Sequence, residues 1–145
     1  MAKENKLWEF PVASTSIISN VRLFCPGGDV WLIFDYYDRN SDAIFNSGII
    51  FEGVQAHRHI CEKFLEHESK ENVELIIKAY DFLVEYVDSE WVEYFRKLDK
   101  KTADYWDIKH YGILLDSNGF FEFIARSFTI LDKKEGRLDE LRGPQ

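Results

Sequence analysis

Asp107-Ile108-Lys109-His110-Tyr111-Gly112-Ile113-Leu114-Leu115-Asp116-Ser117-Asn118-Gly119-Phe120-Phe121-Glu122-Phe123-Ile124-Ala125-Arg126 is the stretch that decides the fold. Two apolar runs flank Asn118-Gly119, and Asn-Gly between such runs is the strongest short-range hairpin signal. Residues 107–116 and 120–131 are therefore expected to pair antiparallel. A two-residue turn would set Leu114 opposite Phe123, Ile113 opposite Ile124 and Tyr111 opposite Arg126.

The same logic extends outward. Residues 15–38 read as a second hairpin turning at Pro26-Gly27-Gly28-Asp29. Strand alternation then puts Val21, Leu23, Cys25, Val30, Leu32, Phe34 and Tyr36 on one apolar face, with Cys25 a structural thiol there. The other face is mixed: Asn20, Arg22, Phe24, Trp31, Ile33 and Asp35. A third strand is expected from Ala43 to about Cys61, with Gly48 and Gly53 as bulge or bend positions. Residues 1–14 are a lead-in with a short edge strand at most, because Pro11 excludes a central one. Residues 62–72 are charged and suit a loop or short helix.

Residues 73–87 carry two periodicities. Val73, Ile76, Ile77, Tyr80, Leu83, Val84 and Val87 fit a helical stripe, whereas Tyr80, Phe82, Val84 and Tyr86 alternate as in a strand. The β-branched and aromatic content favours a strand over 76–87, with a helix as the alternative. Asp88-Ser89 is a helix start, with Glu90 in the first turn and Trp91, Tyr94, Phe95 and Leu98 forming one stripe. Residues 99–106 make a polar link, and 133–145 a charged tail. The expected fold is α+β: a curved, mainly antiparallel sheet of five to six strands packed with one or two helices, in a single domain over residues 1–145.

Composition narrows the function classes. The chain has 145 residues, a net charge of −8, and 16% aromatic residues. Such acidity is repelled by phosphate backbones and anionic membranes, so neither nucleic acid nor membrane is an expected partner; a basic protein is. Neither a signal-peptide pattern nor a membrane-spanning run occurs, and the two cysteines make no disulfide framework, so a cytoplasmic location is expected.

His57, His59 and Cys61 would share one face of a strand, and two imidazoles with a thiolate suit zinc or another borderline metal. His110 would supply a fourth ligand from another strand. A histidine pair lining a solvated face is the stronger account of the cluster, since no second spaced ligand pair accompanies it, and no cofactor is expected. No Gly-x-Ser-x-Gly, P-loop or dinucleotide fingerprint occurs. Asp35 and Asp38 have the chemistry for acid–base work, but in a chain with 26 acidic residues such pairs arise by chance. No catalytic residue is assigned.

From Ala79 to Phe95 there is no Lys or Arg. Asp81, Glu85, Asp88, Glu90, Trp91, Glu93 and Tyr94 fall in this window, and acids interleaved with aromatics suit docking onto a basic surface. A helix and strand with aromatics turned inward and acids turned to water would read the same way. A homodimer is a further alternative, using the mixed Phe24, Trp31 and Ile33 face.

The segments Tyr80-Asp81-Phe82-Leu83-Val84-Glu85-Tyr86-Val87-Asp88-Ser89-Glu90-Trp91, His110-Tyr111-Gly112-Ile113-Leu114-Leu115-Asp116 and Gly119-Phe120-Phe121-Glu122-Phe123-Ile124-Ala125 resemble a group of small uncharacterised bacterial proteins. Some of these are thought to be immunity factors that neutralise toxins, often nucleases. The resemblance covers the second half of the chain and carries over no catalytic residue; it implies a protein-binding role.

Overall fold

The computed structural model describes residues 3–99 and 107–138. Ten strands and two α-helices follow in the order β1 (Lys3–Glu9), β2 (Arg22–Phe24), β3 (Val30–Asp38), β4 (Ala43–Glu52), β5 (Ala56–Ile60), α1 (Lys70–Ile77), β6 (Phe82–Val87), α2 (Glu90–Leu98), β7 (Lys109–Leu115), β8 (Gly119–Ala125), β9 (Ser127–Ile130) and β10 (Lys134–Glu135). The fold is α+β, as expected, but the strands divide between two five-stranded antiparallel sheets. One runs β1-β6-β7-β8-β5; the other runs β10-β4-β3-β2, with β9 also paired to β4. Neither is closed or strongly curled.

Alternation explains how the sheets meet. On β3, Val30, Leu32, Phe34 and Tyr36 are buried and face Ile49 and Phe51 of β4, and Tyr111, Ile113, Phe121 and Phe123 of the first sheet. Phe51 and Phe123 stack across the interface at 3.8 Å between centroids. The first sheet is apolar on its other face too. There Val84, Tyr86, Leu114 and Phe120 pack on Ile76 of α1, while Ile124 packs on Val92 of α2. The helices thus form a third layer, and β7 and β8, covered on both sides, read as continuous apolar runs rather than as alternating ones.

Several expectations are corrected. The hairpin expected between 107–116 and 120–131 forms only as far as Ala125, because Ser127–Ile130 pairs with β4 in the other sheet; it turns around a three-residue loop, Asp116-Ser117-Asn118, closed by the Asn118 N–H on the Leu115 carbonyl at 3.0 Å. Ser117 and Gly119 take positive φ, 61° and 101°. Leu114 therefore opposes Phe120, Ile113 opposes Phe121 and Tyr111 opposes Phe123. A tertiary contact holds this loop: the Val21 N–H donates to the Asn118 side-chain oxygen at 3.0 Å.

Residues 73–87 contain both elements. A helix capped by Ser69 ends at Ile77, and Asp81 at φ 63° reverses the chain into β6. The strand expected over 76–87 thus begins only at Phe82. The strand expected from Ala43 to Cys61 breaks at Gly53, φ 62°, where the chain leaves one sheet for the other; Gly48 sits in regular pairing opposite Ile33. The lead-in supplies β1, an edge strand paired with β6. The tail is tied in as far as Leu138, whose N–H donates to Asp35 at 3.0 Å. Asp35 is fully buried and also accepts from the amide and hydroxyl of Ser19, both at 2.7 Å, so it latches two segments rather than acting with Asp38. Burial pushes its carboxyl up, but these hydrogen bonds prevail and hold it below the usual range. Cys25 is exposed, because β2 ends one residue before it. Residues 100–106 of the polar link and 139–145 of the tail lie outside the described residues.

Candidate functional site

A cleft of about 440 Å³ opens on the helix-covered face of the first sheet, between the flank of α1 and the N-terminal end of α2. Its floor follows from strand register. Arg58 on β5 lies directly opposite Glu122 on β8. On the far side of β8, Glu122 opposes Gly112, and His110 lies two residues along β7 on the same face.

Glu122 is only 3% exposed. Its two oxygens are shared between Arg58 Nε and His110 Nε2, the latter at 2.8 Å. Burial alone would push this carboxyl up; the bonds from His110 and Arg58 outweigh it and hold the group below the ordinary carboxylate range. His110 Nδ1 is 2.8 Å from the Ser89 hydroxyl, and Ser89 Oγ accepts the Val92 N–H as the cap of α2. Donor–acceptor matching places the imidazole proton on Nε2, donating to Glu122, with the Ser89 hydroxyl donating to Nδ1.

Aromatic rings close the walls. Tyr86 lies 4.9 Å from the His110 ring and Trp91 packs on it edge-on at 5.3 Å. The Arg58 guanidinium lies over Trp91 at 4.7 Å. Tyr86 donates its hydroxyl to the Leu75 carbonyl, and burial pushes its own ionisation well above normal.

The order Ser89, His110, Glu122 is that of a serine–imidazole–carboxylate relay. Ser89 is only 5% exposed, however, and its hydroxyl is occupied by the helix cap and the imidazole. The chain of bonds therefore fixes the cleft walls rather than presenting a nucleophile.

The acidic–aromatic window divides. Asp88, Glu90 and Trp91 line the cleft, while Glu93 and Tyr94 lie exposed further along α2, Glu93 paired with Arg96 at 3.4 Å. Asp81 and Glu85 do not join them. Asp81 sits in the turn before β6 and accepts from the Ser14 amide at 3.3 Å. Glu85 opposes Tyr111 and so points to the other side of the sheet.

The metal-ligand candidates separate for the same reason. His57 and His59 stack on Phe123 and Phe121, on the side facing the other sheet. His110 opposes Ile124 on the helix side, so it is no fourth ligand to them. Cys61 is exposed past the end of β5. Among the described residues no group of three or more His, Cys, Asp or Glu is placed to hold a metal ion.

Sequence reasoning missed Arg58, Glu122, Glu68 and Glu71 as cleft residues. The cross-strand pairing of Arg58 with Glu122 would have been the signal, had the register been known. No protein-family model matches the chain, and neither a curated protein nor a solved structure does. Among the described residues no helix is long and apolar enough to cross a membrane.

Proposed function

We propose that this chain is a non-catalytic protein-binding domain whose partner is a basic protein, acting as an immunity-like inhibitor in the cytoplasm. The observation that carries the reading is the charge of the cleft. Among the described residues, Glu68, Glu71, Asp88, Glu90 and Glu122 line it, against one guanidinium, that of Arg58. Asp88, Glu90 and Trp91 come from the basic-free window, so the acids that steer a partner and the ring that anchors it share one wall. The net charge of −8 extends the attraction beyond the contact itself and disfavours nucleic acid.

Affinity capture with the tagged chain from host lysate, at low and high salt, tests this reading. One basic protein, released by salt, is expected. Reversing Asp88, Glu90 and Glu93 to lysine should slow association with it about tenfold or more at low salt; an unchanged on-rate would sink the steering role of this surface. The cleft volume and the presence of His110 favour one competing reading, a small-molecule pocket. A compound co-purifying with the protein, and no protein partner, would be its signature.

A further inference from the structure

We propose that Cys25 and His57 form a thiol–imidazole pair at which the chain exchanges with small disulfides, Cys25 being the thiol modified. The pair lies outside the cleft, and its chemistry is independent of the binding reading above.

Cys25 Sγ stands 4.0 Å from His57 Nε2, within reach of a hydrogen bond to sulfur. With the ring proton on Nδ1, the bare Nε2 accepts from the thiol and can take its proton. Burial on the apolar face, where strand alternation would place Cys25, keeps a thiol inert. Both side chains are instead exposed, so a reagent in water reaches the sulfur and finds a base beside it.

The contact joins two segments from different sheets, and backbone bonds hold them together. Cys25 enters the Pro26-Gly27-Gly28-Asp29 turn, and His57 is the second residue of β5. The Val54 N–H donates to the Gly28 carbonyl at 2.9 Å. The Gly53 N–H donates to the Asp29 side chain at 3.2 Å. The turn is thus fastened to the bend that leads into β5. The imidazole itself lies near-parallel to the Phe123 ring, with centroids 6.2 Å apart. Alternation along β5 turns His57 to the side away from Arg58 and the cleft.

The second cysteine supplies the comparison. Cys61 is exposed as well, but among the described residues its thiol has no imidazole partner. Exposure is therefore common to the two thiols, and the base belongs to Cys25.

The exchange balances without a further reagent. His57 Nε2 takes the thiol proton, and the Cys25 sulfur attacks one sulfur of the disulfide. The new S–S bond forms as the old one breaks, and the electron pair leaves on the second sulfur, which takes the proton from His57. Cys25 is oxidised to a mixed disulfide, half of the reagent is reduced to a thiol, and any excess of free thiol reverses the step.

The test uses the full chain and dithiodipyridine, a neutral small disulfide whose released half is read by absorbance. Cys61→Ser leaves Cys25 as the reacting thiol, and Cys25→Ser leaves Cys61. At about pH 7, Cys25 is expected to react about tenfold faster than Cys61, short of the roughly 10²–10⁴ of a closely positioned base because the contact is long and open to water. His57→Gln in the Cys61→Ser chain should remove that advantage while the urea midpoint stays within about 0.5 kcal/mol of its parent. In concentrated urea, where the two segments part, the thiols should react alike; this comparison needs no His57 variant to fold. Equal rates for the two thiols in the folded chain, a Cys25 rate indifferent to His57→Gln, or an advantage that persists in urea would overturn the pair.

Discussion

Replacing Glu122 by glutamine changes almost no volume but removes the charge that organises the cleft floor. Glu122 now accepts from His110 Nε2 and from Arg58 Nε, one bond on each oxygen. Hydrogen bonds to a charged group contribute about 1.5–3 kcal/mol each. Glutamine offers one acceptor and one NH2, so its NH2 must face a donor from one side. One charge-assisted bond is lost and the other falls to the neutral range, about 1 kcal/mol. The gross loss is about 2–5 kcal/mol; because the Arg58 side chain is 57% exposed and can turn to water, the expected net is about 2–3 kcal/mol. For a chain of this length that is a fall in Tm of roughly 6–10 °C. Urea unfolding at pH 7 followed by tryptophan fluorescence measures it.

The pH dependence has a definite sign. The carboxyl of Glu122 lies lower in the folded protein than the unfolded reference of about 4.3. Its stabilisation is therefore fully present above that reference and is lost as pH falls through the folded value. The gap between wild type and Glu122→Gln should shrink between pH 5 and pH 3. A gap below about 1 kcal/mol at pH 7, or one that widens over that acid range, would refute the view that Glu122 works as a buried, doubly bonded carboxylate.

Gly119→Ala should destabilise by about 2–4 kcal/mol in urea melts, because φ is 101° and a Cβ would stand 2.3 Å from the Ile60 carbonyl oxygen. Phe123→Ala, which empties a fully buried position stacked on Phe51, should cost about 3–5 kcal/mol by the same assay. Asp35→Asn turns an amide NH2 against the Ser19 or Leu138 N–H. It should cost about 2–3 kcal/mol and speed hydrogen exchange at the Leu138 amide selectively; unchanged exchange there would count against the latch.

The amino-acid sequence determined the local elements and the α+β class, not the division into two sheets. Asn118-Gly119 marked a hairpin and Pro26-Gly27-Gly28-Asp29 another, Asp88-Ser89 marked the start of α2, and the alternation along β3 marked its buried face. Each of these depends on neighbours within a few residues, where propensity and periodicity act. The acids and Trp91 at the start of α2 were legible too, as a window free of basic residues.

Tertiary structure alone decided the register, and through it the site. A two-residue turn at Asn118-Gly119 would have put His110 and Glu122 on opposite faces. The three-residue loop, held by the bond from Val21 to Asn118 and by the approach of Ile60 to Gly119, slips the pairing by an odd number of residues. Because strand side chains alternate, an odd slip exchanges every facing partner. It is this slip that brings His110 and Glu122 together, and β5 then adds Arg58 from a segment more than sixty residues earlier. Likewise the division of the strands between two sheets turns on the bend at Gly53, where no local periodicity tells which sheet the chain will join. Propensity acts over a few residues; the cleft is assembled from six elements, β5, α1, β6, α2, β7 and β8, and only the packing of the whole chain brings them together.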